Sequence, residues 1–315
     1  MIFLPSENMV NSPANKLIQW LPTTRSCKCP KNAVNCLPAK AWLRNQVPIW
    51  WFNKKELNNR YDMISRQHHP AIFPTALAKR VIENYTHQND TVLDVFSGMG
   101  TTLYAARLTS RNAIGFELNK KFADLTCRRL KLKNDKYCSE PNSAHNQNKF
   151  GLHLQLINTD SRELLDYIAP ESIDCVFTSP PYWDLLNQPP SQRNLKQQKY
   201  LKNNYSDDVN DLSNDPTLDV FTNNIKDIFS KVHNILKPQR MCIINTGDYR
   251  RKGKYISLSS HYITILSELN FELKNVIIWD RRQEYEIGLF SYPRNFIVNN
   301  GMFEYLLEFQ KFREK

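Results

Sequence analysis

The sequence predicts an α/β fold in which a doubly wound, mostly parallel sheet of seven strands is flanked by helices. Short apolar runs alternate with segments of helical character from residue 75 to residue 310. A glycine turn follows one of these runs and two consecutive prolines follow another, as expected where strands end. The 315 residues, of which 41% are hydrophobic, are enough to bury the core of one such domain with a small appendage.

The predicted strands and helices follow one another along the chain. Strands are expected at residues 92–96, 112–117, 153–158, 173–178, 241–246, 272–279 and 303–310. Helices are expected at residues 75–85, 101–110, 119–133, 161–168, 219–236 and 257–269, and Pro238 marks the end of the fifth. Only a loop separates the last two strands, so they could form an antiparallel hairpin at one edge of the sheet.

A glycine turn follows the first predicted strand, in the sequence Asp94-Val95-Phe96-Ser97-Gly98-Met99-Gly100-Thr101. Two glycines two residues apart allow a sharp turn close to a ligand, and the next helix presents free N–H groups to an anion. The third glycine of the dinucleotide-binding fingerprint is missing. Glu117 ends the second strand 23 positions after Asp94, about where an acid contacts ribose hydroxyls in a βαβ nucleoside site.

The fourth predicted strand leads directly into Ser179-Pro180-Pro181-Tyr182. Two prolines fix φ and remove two backbone donors, which leaves stiff, outward-facing carbonyl groups. The Ser179 hydroxyl and the Tyr182 ring lie beside them. Such a pocket can accept hydrogen bonds from an exocyclic amine while it stacks on the ring that carries the amine.

Taken together, the Asp94 to Gly100 loop, Glu117 and the Ser179 to Tyr182 tetrapeptide resemble the beta-type DNA amino-methyltransferases. Within that family they are most similar to the site-specific cytosine-N4 enzymes. The resemblance runs from about residue 65 to the C-terminus and includes residues 291–296, which resemble the family's target-base loop. It implies the Rossmann-like fold of methyltransferases that use S-adenosyl-L-methionine.

The resemblance also implies a role for each candidate site residue. The target base would be held by the catalytic residues Ser179, Pro180, Pro181 and Tyr182. S-adenosyl-L-methionine would be bound by Phe73, Asp94, Phe96, Ser97, Gly98, Gly100, Thr101, Glu117 and Asp160. Within this set, Ser97 to Gly100 would hold the methionine end, Glu117 the ribose and Asp160 the adenine amine, while Phe73 would flank the adenine ring.

Several substrates stay open at this point. In this family, enzymes with Ser at the first motif position mostly methylate N4 of cytosine, whereas enzymes with Asp or Asn there methylate N6 of adenine. Ser179 therefore favours cytosine. The alternatives are N6-adenine methylation of DNA, amino-methylation of structured RNA, and a DNA-binding protein without activity. Methylation at carbon 5 of cytosine is disfavoured because the chain lacks the Pro-Cys dipeptide that carries the thiolate in that family.

The charge distribution favours double-stranded DNA as the partner. The net charge is +11, and residues 1–60 contain nine Lys or Arg against two Glu. Two further basic runs lie at residues 185–204 and at Arg250-Arg251-Lys252-Gly253-Lys254. We therefore expect an irregular basic N-terminal segment at residues 1–60 that serves DNA recognition, a catalytic domain at 61–315, and a mobile loop at 184–215. A cognate restriction endonuclease is a further expected partner, and the oligomeric state is left open.

Two expectations concern location and metals. No apolar run approaches the ~20 residues of a membrane span, and no secretory signal opens the chain, which predicts a cytoplasmic protein of prokaryotic or phage type with no membrane partner. The odd count of seven cysteines argues against a disulfide framework. Cys27, Cys29 and Cys36 could begin a zinc site, but Cys127 or a histidine would have to join from far along the chain. No metal is therefore expected.

Overall fold

The computed structural model describes residues 17–22, 27–30, 32–69, 71–134, 137–139, 152–187, 206, 208–282 and 302–312. The expected target-base loop at residues 291–296 lies outside these ranges. Most of the expected mobile loop at 184–215 lies outside them as well. Within its described parts, residues Trp183–Asn187 and Leu212–Asn214 form short 3-10 helices.

Twelve strands are present in the described part of the chain, and all seven predicted strands are among them. The strands are β1 (Ile49–Trp50), β2 (Thr91–Asp94), β3 (Asn112–Phe116), β4 (Lys133–Asn134), β5 (Tyr137–Ser139), β6 (Leu154–Ile157), β7 (Ile173–Thr178), β8 (Leu236–Thr246), β9 (Tyr249–Arg251), β10 (Lys254–Ile256), β11 (Phe271–Asp280) and β12 (Phe303–Lys311).

Ten of these strands form one sheet, in the order β1-β11-β12-β8-β7-β2-β3-β6-β5-β4. The central pairs β3 with β6, β2 with β3, β2 with β7 and β7 with β8 are parallel, whereas β12 is antiparallel to both β8 and β11. The doubly wound, mostly parallel sheet is thus confirmed. The number of seven strands was wrong, because β1, β4 and β5 contain two or three residues each and are too short to show a period.

The predicted hairpin of the last two strands is confirmed in β11 and β12, which pair from Phe271 with Lys311 to Asp280 with Phe303. The hairpin also lies at one edge of the sheet, as expected, except where the short strand β1 pairs in parallel with β11, through Ile49 with Ile278 and Trp50 with Trp279. The N-terminal segment therefore covers β11 over two of its ten residues.

Five predicted α-helices are present with small shifts at their ends, while residues 161–168 form a 3-10 helix at Ser161–Asp166 instead. The α-helices are α1 (Ala39–Asn45), α2 (Lys54–Leu57), α3 (Arg60–His68), α4 (Thr75–Tyr85), α5 (Thr101–Leu108), α6 (Lys120–Leu130), α7 (Leu218–Ile235) and α8 (Leu258–Glu268). Helices α1, α2 and α3 were not predicted. None of the described helices combines the length and the apolar character needed to cross a membrane.

The sheet separates two apolar clusters, as expected when helices cover both faces. Val92 and Leu93 are neighbours in β2 and belong to opposite clusters, because successive strand side chains point to opposite faces. Helices α7 and α8 pack on the face of Leu93, and helices α4, α5 and α6 pack on the face of Val92. This arrangement holds the central strands rigidly and leaves their carboxyl ends available for a site.

Candidate active site

All predicted site residues except Phe73, which lies just before α4, are at or after the carboxyl ends of four parallel strands. The glycine loop follows β2, Glu117 follows β3, Asp160 follows β6 and Ser179 follows β7. Strands β3 and β6 extend the sheet to one side of β2, while β7 lies on its other side. Strand order reverses at this point, and ligands of open α/β sheets bind at such a reversal.

The glycine loop adopts a conformation that its two glycines make possible. Gly98 has a φ of +50° and Gly100, the residue before α5, has a φ of +73°. The loop is closed by two backbone hydrogen bonds, from Ser97 N–H to the Phe116 carbonyl at 2.8 Å and from Gly100 N–H to the Ser97 carbonyl at 2.8 Å. A Cβ atom on Gly100 would lie 2.4 Å from Cγ2 of Thr126, so the position has no room for a side chain.

Asp94 is buried at the centre of the site and links its two halves. Its Oδ2 accepts a hydrogen bond from the Thr102 hydroxyl at 2.6 Å, and its Oδ1 accepts one from the Thr178 hydroxyl at 2.7 Å. The N–H of Phe96 donates to Oδ1 as well, at 3.1 Å. Burial raises the pKa of Asp94 to about 6, although these donors favour the carboxylate. Asp94 therefore holds the glycine loop and the end of β7 in one arrangement.

Glu117 lies against the glycine loop, as its predicted role requires. Its Oε2 accepts a hydrogen bond from Gly98 N–H at 2.6 Å, and its Oε1 accepts one from Asn119 N–H at 2.8 Å. Burial raises the pKa of Glu117 to about 7, while the two N–H donors act in the opposite direction. A carboxylate has about four acceptor positions, so ribose hydroxyls could still donate to it. The ribose contact itself stays a prediction.

Two other predicted cofactor residues have protein partners in the structure. The Asp160 carboxylate begins the 3-10 helix at Ser161 by accepting a hydrogen bond from Arg162 N–H at 2.8 Å. The Arg162 side chain also donates to it, from Nε at 3.0 Å. The Phe73 ring packs against Phe177 with ring centroids 4.9 Å apart. Their contacts with adenine stay predictions, and Asp160 would have to share its oxygens with Arg162.

The Ser179 to Tyr182 tetrapeptide is held near both ends by side-chain contacts. Pro180 is buried, whereas Ser179 and Tyr182 are half-buried. The side-chain amide of Asn245 approaches the Ser179 hydroxyl oxygen, with Nδ2 and Oγ 3.4 Å apart. The Tyr182 hydroxyl donates to Oε2 of Glu304 at 2.8 Å. These contacts fix both side chains that the sequence assigned to the target base.

Glu304, Asn245 and Arg281 form a polar cluster that sequence reasoning did not assign to the site. Asn245 Nδ2 donates to Glu304 Oε2 at 2.7 Å, and the Arg281 guanidinium pairs with the other oxygen of Glu304. Asn245 Oδ1 is buried and has no hydrogen-bond partner in the described part of the chain. The available signal was that Asn245 directly follows the apolar run Cys242-Ile243-Ile244 and that Glu304 lies between Phe303 and Tyr305.

The third basic run of the sequence forms the hairpin of β9 and β10 beside the tetrapeptide. Arg251 pairs with the Asp184 carboxylate, and its guanidinium lies 4.5 Å from the centroid of the Trp183 ring. The indole N–H of Trp183 in turn donates to the Asp215 carbonyl at 2.9 Å. One cation of this run therefore holds the segment after Tyr182 in place.

The residues around the glycine loop fit a small polar ligand with nucleoside character. The Ser97 hydroxyl is buried and has no hydrogen-bond partner in the described residues, so a donor or acceptor group of a ligand would satisfy it. The residue before α5 supplies no side-chain cap, and the first N–H groups of that helix lack intrahelical partners. Together with Glu117, these groups suit the polar ends of S-adenosyl-L-methionine.

Comparison with known proteins agrees with this arrangement. The family model described as DNA methylase, for N6 and N4 methyltransferases, matches residues 15–128 and 173–315. The chain is 33% identical over 87 residues to the type II methyltransferase M.ScaI of Streptomyces caespitosus, a match that covers 28% of this chain and 29% of that protein. It is 30% identical over 138 residues to the DNA adenine methyltransferase YhdJ of Escherichia coli K12, which covers 43% of each chain.

The chain thus spans 29% of the length of M.ScaI and 43% of the length of YhdJ. Among solved structures, a methyltransferase from Methanosarcina mazei that depends on S-adenosyl-L-methionine aligns with 74% of this chain and 98% of its own, with a TM-score of 0.45 and 13% identity. The family match includes both the glycine loop and the tetrapeptide, and it extends over more than half of the chain. The protein therefore belongs to the N6 and N4 DNA methylase family, whose methyl donor is S-adenosyl-L-methionine.

Proposed function

We propose that this protein transfers a methyl group from S-adenosyl-L-methionine to the N4 amine of a flipped-out cytosine in double-stranded DNA. One observation carries the proposal. The buried Asp94 carboxylate accepts hydrogen bonds from Thr102, just after the glycine loop, and from Thr178, just before the Ser179 tetrapeptide. A cofactor on the first segment and an amine on the second would be held side by side by one rigid group, which favours transfer between them.

The cofactor supplies an electrophilic methyl group, attached to a positively charged sulfur. On the protein side, the buried Ser97 hydroxyl and the glycine backbone would bind its methionine end, and Glu117 would accept hydrogen bonds from its ribose. Because both oxygens of Glu117 are already fixed by backbone N–H groups, the carboxylate is oriented before the ligand arrives. Such preorganisation lowers the entropy lost on binding.

The target amine needs help because its lone pair is delocalised into the aromatic ring. Hydrogen bonds from the amine to the Ser179 hydroxyl oxygen and the Pro180 carbonyl would favour a pyramidal nitrogen with its lone pair directed outward. Asn245 approaches one side of the Ser179 oxygen, and a hydroxyl oxygen has a second lone pair for the amine. The chemistry then requires no covalent intermediate with the protein.

Tyr182 would stack on the base once it has left the duplex. A base inside a duplex cannot reach such a pocket, so the enzyme would flip it out. The hydrogen bond from the Tyr182 hydroxyl to Glu304 fixes the plane of the ring before a base arrives. Glu304 and Asn245 are thus proposed as positioning residues for Tyr182 and Ser179.

The choice between N4 of cytosine and N6 of adenine rests on Ser179. Serine at this motif position supports cytosine as the substrate, because the enzymes of this family that methylate adenine mostly have aspartate or asparagine there. A specific observation favours the second candidate, N6 of adenine, namely the similarity to the DNA adenine methyltransferase YhdJ. Both reactions would use the same cofactor site and the same geometry of the amine.

Mass spectrometry of nucleosides tests the proposal directly. DNA would be taken from a methylation-free host that expresses the full chain, with the Ser179→Ala variant as the matched control. We expect N4-methylcytosine with the wild type and none with the variant. N6-methyladenine would refute the choice of base but not the family, and modification found only in RNA would refute DNA as the substrate.

We also propose a restriction–modification context, supported by the similarity to M.ScaI, a type II methyltransferase. The basic segment at residues 1–60 and the loop at 184–215 are proposed to recognise the DNA site, on the strength of their charge. Sequencing of the modified DNA would give that site. Resistance of the same DNA to an endonuclease that cleaves there would support a protective role.

A further inference from the structure

The N-terminal segment brings three cysteines to a histidine of the catalytic fold. The Sγ atoms of Cys27, Cys29 and Cys36 and a ring nitrogen of His87 all lie within 4.8 Å of one another. Cys27 and Cys36 each approach His87 Nδ1 at 3.4 Å, and Cys29 lies 3.3 Å from Cys36. Four such ligands around a tetrahedral zinc would be separated by roughly 3.5–3.8 Å, given bond lengths of about 2.0–2.3 Å. The ligand atoms therefore need to move little to bind the ion.

His87 supplies the fourth ligand that the sequence did not reveal at a usable spacing. It follows α4 and lies 51 residues after Cys36, and its side chain is buried. Its Nε2 lies 3.1 Å from the Ala33 carbonyl, and a carbonyl can only accept a hydrogen bond. Nε2 therefore carries a proton, and in the neutral imidazole that binds metals the lone pair of Nδ1 is then directed at the sulfurs. This second contact is the one that metal-binding histidines ordinarily make.

Two further contacts stabilise the arrangement. The backbone N–H of Gln88 donates to the Cys36 sulfur at 3.3 Å and holds that sulfur at the turn after α4. The backbone N–H of His87 donates to the Asp90 carboxylate at 2.7 Å and fixes the histidine on its turn. Backbone groups therefore orient both ends of the cluster, so the four ligands are not merely close side chains on a flexible surface.

The charge of the surroundings suits a zinc ion with three thiolates. Such a centre carries a net charge of −1, because three thiolates exceed the charge of the ion by one. Arg111 is a buried cation nearby. Its guanidinium is held by hydrogen bonds to Thr86, the residue before His87.

The cluster is separate from the candidate active site. His87 precedes β2, at the amino end of that strand, whereas Asp94 and the glycine loop lie at its carboxyl end. A metal with four protein ligands has no open position for a substrate, so a structural role is indicated.

We propose that Cys27, Cys29, Cys36 and His87 bind one zinc ion that fastens the N-terminal segment to the catalytic fold. Three thiolates and one imidazole form a ligand set that zinc favours. The ion would connect residues 27–36 to the turn after α4, so the position of the segment would depend on bound metal. This replaces the expectation of no metal. It is independent of which base is methylated.

Metal analysis of the purified full chain is the first test. After expression with added zinc, we expect about one zinc per chain, bound through a closed four-ligand site. The Cys36→Ser and His87→Ala variants should lose that zinc, whereas His261→Ala, which changes an exposed histidine, should retain it. His87→Cys should restore binding, because a fourth thiolate can replace the imidazole. A packing role alone would not produce this rescue.

Cobalt substitution and proteolysis supply readouts that do not depend on activity. Cobalt in the wild type should show thiolate-to-metal charge-transfer absorption that changes in Cys36→Ser. Removal of zinc by a mercurial reagent and a chelator should speed protease cleavage before residue 45. Excess small-molecule thiol, which takes the mercury from the cysteines, followed by added zinc should restore protection. Absence of zinc from the wild type, zinc retained in both variants, unchanged proteolysis, or a Cys29–Cys36 disulfide in place of the metal would each overturn the proposal.

Discussion

Replacement of Gly100 by alanine tests the structure of the glycine loop quantitatively. The φ of +73° would cost alanine roughly 1–2 kcal/mol, because the left-handed region brings Cβ close to the backbone. The new Cβ would also lie 2.4 Å from Thr126 Cγ2, and overpacking of this kind costs about 1–3 kcal/mol. We therefore expect Gly100→Ala to lower the free energy of unfolding by about 2–5 kcal/mol.

Gly253 offers a matched control for the backbone contribution. Its φ is +81°, but a Cβ added there would have no neighbouring atom within 4 Å, so Gly253→Ala should lose only about 1–2 kcal/mol. A second control is Thr126→Ser, which removes Cγ2 but keeps the hydroxyl that donates to the Gly98 carbonyl at 3.2 Å. In that background Gly100→Ala should cost less, by about 1–3 kcal/mol.

Urea unfolding followed by tryptophan fluorescence would measure all of these variants, with the slope on denaturant checked for constancy. Equal losses for Gly100→Ala and Gly253→Ala would refute the steric part of the reasoning. An unchanged cost in the Thr126→Ser background would refute the assignment of the clash to that methyl group.

Four further predictions concern cofactor binding, stability and turnover. Because the pKa of Glu117 is about 7, calorimetry should show affinity for S-adenosylhomocysteine falling by up to about tenfold from pH 8 to pH 6, and Glu117→Gln should abolish that dependence. Burial raises the pKa of Glu117 above its value in the unfolded chain. The stability that Glu117 contributes is therefore present at low pH and is lost as the pH rises through about 7. Denaturation measured at each pH would test this. Ser179→Ala should lower kcat on the order of 10²-fold, as expected when one positioned hydrogen bond is lost, without weakening S-adenosylhomocysteine binding; full activity would refute its role. Tyr182→Phe should lose the hydrogen bond to Glu304 and about 1–2 kcal/mol of stability but keep most activity. Tyr182→Ala should lose activity. Equal methylation rates for the two variants would argue against stacking.

The central sheet could be predicted because its strands are apolar and separated by helices of ordinary length. The glycine loop, Glu117 and Ser179 all follow such strands, so their common location resulted from the parallel order alone. Strand β1 could not be found in this way. It has two residues, and the burial of Trp50 depends on residues distant in sequence, in β11 and in α4.

The rest of the site depends on contacts that no local pattern encodes. Asn245 and Glu304 lie 59 residues apart and meet because β12 pairs with β8. The sequence assigned Asp94 to the cofactor, whereas its oxygens accept hydrogen bonds from Thr102 and Thr178. Asp94 looks the same in the sequence whether it contacts a ligand or supports the loop around it.

The number of cysteines in the sequence did not predict which of them would be bonded. Cys127 is disulfide-bonded in the structure, although the odd number of cysteines argued against a framework of such bonds. Cys27, Cys29 and Cys36 are instead not disulfide-bonded. Their meeting with His87 depends on how the N-terminal segment folds back onto the turn after α4, which spacing along the chain does not reveal.

The short outer strands have a consequence for self-association. An open sheet exposes unpaired N–H and C=O groups along its outermost strands, and these can recruit a second chain. Here β1 covers only Ile278 and Trp279 of β11, so Phe271 to Ile277 form the edge on that side within the described residues. This stretch carries the exposed charges of Glu272 and Lys274 and a register irregularity between Leu273 and Asn275. Charged side chains and bulges at an edge oppose pairing with another strand. Two copies of this protein are therefore not expected to join by extending the sheet along β11.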